Sequence, residues 1–216
     1  MTEAGVVRAF LAVPADPDWV KSARELVSGL RSELPSASWT RPESWHMTLL
    51  FLGEIPRPEV ERFATEIAPH AEAMTGGDLE GSAAVIFPPR GAARVLAVGF
   101  ADSPVALELG RLAAAASALA LSVQSPKLVL RSEALLRRGA SKTQKRFHPH
   151  ITFARLRHPW PRQAVERYRA VVENWRPPAF RTSSCVLFQS RLDPAGAVHT
   201  PLETWNFMKS RVESNA

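Results

Sequence analysis

The tripeptide His-x-Thr stands twice in this chain, as His46-Met47-Thr48 and His150-Ile151-Thr152. Each lies in an apolar run followed by a proline-started helical stretch and then by two more apolar runs. A repeated order of strand, helix, strand, strand restricts the fold more than any other feature. Strands joined by short turns pair antiparallel, and a helix folded back over them covers one face. Two such units therefore predict a mixed α+β fold with largely antiparallel sheets, its halves related by pseudo-symmetry. A doubly wound parallel fold is disfavoured, and no glycine-rich dinucleotide or phosphate-cradling loop is present.

The opening adds a strand over residues 6–13, stopped by Pro14, and a helix capped by Asp16 that runs through Trp19, Leu26 and Leu30. Residues 39–41 form a short extended piece before Pro42. The first unit is a strand over 46–52 ended by Gly53, a helix from Pro58 through Val60, Phe63 and Ile67, and strands over 79–87 and 94–100. An alanine-rich helix over 104–121 follows. The second unit is a strand over 150–154, a helix from about Pro161 to Trp175, and strands over 180–189 and about 198–207. The expected organisation is one domain over 1–208 with a basic insertion at 127–146, then a polar tail at 209–216.

Side chains alternate along a strand, so His46 and Thr48 share one face, as do His150 and Thr152, while Met47, Leu49, Ile151 and Phe153 pack on the other. Burying a face of His and Thr is costly, which points to a solvated cleft. Two imidazoles with ordinary pKa values of about 6.5 suit a reaction that needs one base and one acid. Phosphodiester hydrolysis has that need: a water loses a proton while the leaving oxygen gains one. Threonine hydroxyls can donate to the non-bridging oxygens.

Around the motifs, Arg155 is a candidate substrate contact, although alternation turns it away from the His150 face unless the strand bends. Trp45 and Phe147 are candidates to hold a nucleobase. A metal site of His46, His148 and His150 would lack a carboxylate at ligand spacing and leave the threonines unexplained, so no metal and no cofactor are expected. His70, His158 and His199 have no surrounding pattern and read as surface or capping residues.

The net charge of +6 is unevenly spread. Residues 1–126 carry 10 Lys and Arg against 15 Asp and Glu, a net −5, and residues 127–216 carry 17 against 6, a net +11. The second half is expected to face the anion. Its segment 127–146, which includes Lys145 and Arg146, is expected to be mobile and to add affinity for RNA through many weak phosphate contacts. Cys185 is the only cysteine, read as a packed strand residue, and excludes an intramolecular disulfide. With no signal peptide and no long uninterrupted apolar run, the expected location is the cytoplasm, away from a membrane.

The phrases His46-Met47-Thr48-Leu49-Leu50-Phe51-Leu52-Gly53 and Pro149-His150-Ile151-Thr152-Phe153-Ala154-Arg155 resemble the two signatures of the two-histidine phosphoesterase superfamily. More narrowly they are similar to its LigT-like branch, the RNA 2′,3′-cyclic phosphodiesterases. Arg8-Ala9-Phe10-Leu11-Ala12-Val13-Pro14 and Leu187-Phe188-Gln189-Ser190-Arg191-Leu192 with Gly196 extend the likeness over roughly residues 6 to 207.

The resemblance implies a bilobal pseudo-twofold fold, with two mainly antiparallel sheets lining a central cleft and helices outside. It implies opening of a terminal 2′,3′-cyclic phosphate to a 2′-phosphate without metal, with His46 as proton donor, His150 as proton acceptor, and Thr48 and Thr152 on the phosphate. The partner would be an RNA or nucleotide bearing that cyclic phosphate, bound by a monomer. Reversible 2′-5′ RNA joining and a binding module without turnover are the alternatives. The basic segment is longer than the family pattern requires, and His199 stands where relatives often carry tyrosine.

Overall fold

In the computed structural model, which describes residues 5–81, 83–123, 147–193 and 196–208, the sheet is built around β1 (Val6–Pro14). Ala9 to Val13 are buried on both faces, as in a central strand. Asp16 then accepts a hydrogen bond from the Trp19 backbone N–H at 3.2 Å and Pro17 opens α1 (Pro17–Glu33), the expected cap. α1 buries Trp19, Ala23, Val27 and Leu30. β2 (Ser38–Trp39) and a 3₁₀ turn (Pro42–Ser44) lead into β3 (His46–Pro56).

The chain continues as α2 (Arg57–Glu72), β4 (Gly77–Leu79), β5 (Ala83–Phe87), β6 (Val95–Gly99) and α3 (Pro104–Val123). After it come β7 (His150–Arg155), α4 (Arg162–Asn174), β8 (Phe180–Thr182), β9 (Ser184–Asp193) and β10 (Gly196–Asn206). The main sheet has the order β10-β9-β1-β3-β7-β6-β5 with β2 added on β7, and β4 pairs with β8 in a separate ribbon. The fold class is the expected one: two mainly antiparallel sheets with helices packed against them.

The pseudo-symmetry works by exchange. The β5–β6 hairpin of the first unit pairs with β7 of the second, and the β9–β10 hairpin of the second reaches β3 of the first through β1. Helices exchange likewise: α2 packs on β10 and α4 on β5. Tyr168 of α4, fully buried, donates its hydroxyl to the Ala97 carbonyl of β6 at 2.9 Å. Neither unit can complete its sheet alone.

Three strand boundaries differ from expectation. Gly53 does not end β3. It takes a φ of +78° beside a register shift opposite Ala9 and Phe10, so the strand bends at a bulge and continues to Pro56. The expected strands 79–87 and 180–189 are each broken in two, and the short first pieces, β4 and β8, pair with each other. At the first break Gly81 has a φ of +138°, and a Cβ there would meet the Ala101 nitrogen at 2.9 Å. Hydrophobic runs carry no mark of such a turn.

α3 is long and apolar enough to cross a membrane by length and composition, but one stripe of it, Ala106, Leu109, Ala113, Ala116 and Ala120, is buried inside the protein. Cys185 is fully buried and burial pushes its thiol up to about 12, in keeping with a packing role. The basic segment 127–146, with Lys145 and Arg146, and the tail 209–216 lie outside the described residues.

Candidate active site

β3 meets β7 at the pair Met47 and Ile151, both fully buried. In an antiparallel pair the residue before one partner lies opposite the residue after the other. The register therefore sets His46 opposite Thr152 and Thr48 opposite His150, all four on the face that Met47 and Ile151 leave. The two motifs form one square about the pseudo-twofold axis. It lies in a cleft of about 1110 Å³ that both lobes line.

Each imidazole is held alike. Nδ1 of His46 lies 2.7 Å from the Ser44 carbonyl, and Nδ1 of His150 lies 2.7 Å from the His148 carbonyl. A carbonyl only accepts, so Nδ1 carries the proton and Nε2 is the nitrogen left for proton exchange. The 3₁₀ turn over Pro42–Ser44 brings the first carbonyl into place. Each ring also packs on a phenylalanine, Phe10 for His46 with centroids at 4.7 Å and Phe87 for His150 at 5.0 Å.

Burial pushes His46 down to about 4, against the opposing effect of the Ser44 carbonyl, while His199, Arg155 and His150 lower it further by repulsion. A depressed histidine contributes stability that is complete above its ordinary value of 6.5 and is lost as pH falls through about 4. The folded state binds fewer protons over that window. In urea unfolding, the protein should lose about 2–3 kcal/mol more than His46→Gln on going from pH 7 to pH 4. Equal losses would contradict the buried neutral ring.

Arg155 faces the cleft, contrary to simple alternation. Opposite β6, Leu96 pairs with Ala154 and Ala97 with Thr152, which leaves Phe153 as an extra residue. The bulge buries both Phe153 and Ala154 and returns Arg155 to the side of His150 and Thr152. The bend that alternation required is present.

Two expected contacts are corrected. Trp45 is 3% exposed and packs edge-on against Trp19 and beside Phe153, so it is a core residue that no base can reach. Phe147 rests against Gly110 of α3 and does not line the cleft. Trp45, one residue before His46, is turned onto the opposite face, and Phe147 precedes β7 altogether, in the stretch that leads into the strand. Among the described residues the aromatic rings that do line the cleft are Phe10, Trp39, Phe51 and Phe87.

Sequence reasoning missed Arg8, Arg41, Ser190 and His199, which line the cleft from β1, the turn after β2, β9 and β10. His199 is no surface residue: its ring stands edge-on to His46 with centroids 5.3 Å apart and against Phe10 at 4.9 Å. Its one signal was its place where relatives often carry tyrosine. Arg8 and Arg41 belong to the half with net negative charge, so division of charge by sequence halves pointed away from them. Among the described residues the cleft is lined by three arginines and three histidines and by no carboxylate. An anion is the ligand such a surface favours.

Paired imidazoles, paired hydroxyls and a cationic rim define an acid–base site for a phosphate ester. The family model described as LigT like Phosphoesterase matches residues 13–97 and 124–199, and the chain belongs to that family. The RNA 2′,3′-cyclic phosphodiesterase of Methanothermobacter thermautotrophicus is 25% identical over 203 residues, covering 92% of this chain and 98% of its relative. The enzyme of the same name from Thermotoga maritima is 22% identical, covering 93% and 96%. Among solved structures, TT0787 of Thermus thermophilus superposes with a TM-score of 0.68 at 25% identity, over 92% of this chain and 97% of that one. Apo LigT of E. coli, at 18% identity and a TM-score of 0.63 over 94% and 99%, shares the fold.

Proposed function

We propose that this protein hydrolyses the 2′,3′-cyclic phosphate at the end of an RNA to a 2′-phosphate by two-histidine acid–base catalysis without metal. The observation that carries the reading is the square set by the Met47–Ile151 pair, with each Nδ1 fixed by the carbonyl two residues earlier. The enzymes named above, similar over nearly the whole chain, bear the name of this activity.

In this reading a water attacks phosphorus and gives its proton to Nε2 of His150. The bond from phosphorus to O3′ breaks, and Nε2 of His46 protonates the departing oxygen. The products are a 2′-phosphomonoester and a 3′-hydroxyl. Thr48 and Thr152 donate hydrogen bonds to the non-bridging oxygens, and Arg155 offsets the charge that grows there. His46, neutral in the free protein at neutral pH, takes up its proton as the phosphate anion enters, because a nearby negative charge favours the imidazolium.

An RNA oligonucleotide ending in a 2′,3′-cyclic phosphate, incubated with chelator, should yield only the 2′-phosphate. Dependence on added metal, or a 3′-phosphate product, would overturn the assignment of roles. A 2′-5′ linked product on addition of a 5′-hydroxyl acceptor would mean that the site also runs ligation. RNA binding without any turnover would leave a binding module.

A further inference from the structure

Five arginines on the outer surface have acidic partners: Arg24 with Glu43, Arg62 with Glu66, Arg162 with Glu166, Arg167 with Glu33 and Arg181 with Asp78. Arg8 and Arg41 do not. Among the described residues neither lies within ion-pairing distance of a carboxylate, although Glu54 is the cross-strand neighbour of Arg8. Both line the cleft and are exposed.

Register explains why they converge. Ala9 pairs with Gln189 and Ser190 with His199, so Arg8, Ser190 and His199 follow one another across β1, β9 and β10 on a single face. Arg41 arrives from the other direction. Its guanidinium lies over Gly196, where a Cβ would stand 3.5 Å from it. The His199 ring lies within the electrostatic reach of both guanidiniums, and its Nδ1 is buried with no hydrogen-bond partner. Both guanidiniums, after burial itself, disfavour its protonated form. An orphaned buried nitrogen among unpaired cations is costly for the free fold, which points to a role in the cleft.

We propose that Arg8, Arg41 and His199 form a second anion subsite, which holds a second phosphate of the substrate while the cyclic phosphate occupies the His-Thr square. It rests on the proposed function for what fills the square. Its neighbour relation is tight, because the His199 and His46 rings are 5.3 Å apart by centroid. The ligand chemistry is a phosphate ester joined through one ribose to the reacting group. Its source is either the next internucleotide diester of an RNA or the 5′-phosphate of a mononucleotide.

Calorimetric binding tests the subsite without turnover. Adenosine 3′,5′-bisphosphate should bind the protein at least about tenfold more tightly than 3′-AMP, the worth of a charge-assisted hydrogen bond. In Arg8→Gln/Arg41→Gln the preference should vanish, the bisphosphate losing at least about tenfold more affinity than 3′-AMP loses, and His199→Phe, which keeps the ring on Phe10, should lose about threefold of the preference. No preference in the parent protein, or an equal loss for both ligands in the double variant, would overturn the subsite.

Turnover of adenosine 2′,3′-cyclic phosphate, its 5′-phosphorylated form and a dinucleotide ending in the cyclic phosphate then identifies the source. A gain in kcat/KM for the dinucleotide alone assigns the internucleotide diester, and a gain for both assigns any phosphate ester at that position. Turnover of none, with the bisphosphate preference intact, would defeat the proposed function and leave the subsite standing.

Discussion

His46→Gln and His150→Gln should each lower kcat on an RNA 2′,3′-cyclic phosphate by about 10²- to 10⁴-fold, the usual worth of a positioned proton-transfer group. Both variants should remain folded at neutral pH, since each ring makes a single hydrogen bond, to a backbone carbonyl, and otherwise only ring contacts that glutamine can partly replace. The double variant should be little worse than the poorer single one. Acid and base act in one transition state, and once one is lost the other has less to act on. The pH profile separates the roles: loss of the acid should flatten the limb on which activity falls with rising pH, and loss of the base should flatten the opposite limb. Near-parental kcat in either variant would end the two-histidine mechanism. Exchange of the two flattened limbs would keep it and reverse donor and acceptor.

What the sequence made legible was whatever periodicity encodes. Alternation placed His46 with Thr48 and His150 with Thr152 and sent Met47 and Ile151 into the core, and the repeat of units indicated the α+β fold. The side chains that alternation misplaced lie where a strand departs from period two. Phe153 as an extra residue turns Arg155 into the cleft, and Gly53 carries β3 past its expected end. Register between strands distant in sequence was illegible for a different reason. Arg8, Ser190 and His199 are neighbours only because β9 lies between β1 and β10, a pairing that no local pattern states. Trp45 and Phe147 were misread because adjacency in sequence is not adjacency on a face.

Trp19→Ala should cost about 3–5 kcal/mol of stability, as for loss of a large aromatic side chain from a packed core. Trp19 belongs to neither repeat, yet its fully buried ring touches both. It meets Trp45 and Phe100 of the first unit and Phe153, Trp175 and Phe180 of the second, with centroids between 5.5 and 6.1 Å. Two of those partners flank the His-Thr square, Trp45 one residue before His46 and Phe153 one residue after Thr152. The cavity left by alanine would therefore open behind both motif strands, and melting should fall by about 10 °C or more for a chain of this size. Trp19→Phe should lose only about 1 kcal/mol. It keeps most of the ring and removes an indole N–H that is buried without a partner, so relief from the orphaned donor offsets part of the lost volume. Urea unfolding of the two variants decides the point. Equal destabilisation by both would show that the indole N–H holds the core, and a negligible loss in Trp19→Ala would show that the lobes are joined elsewhere.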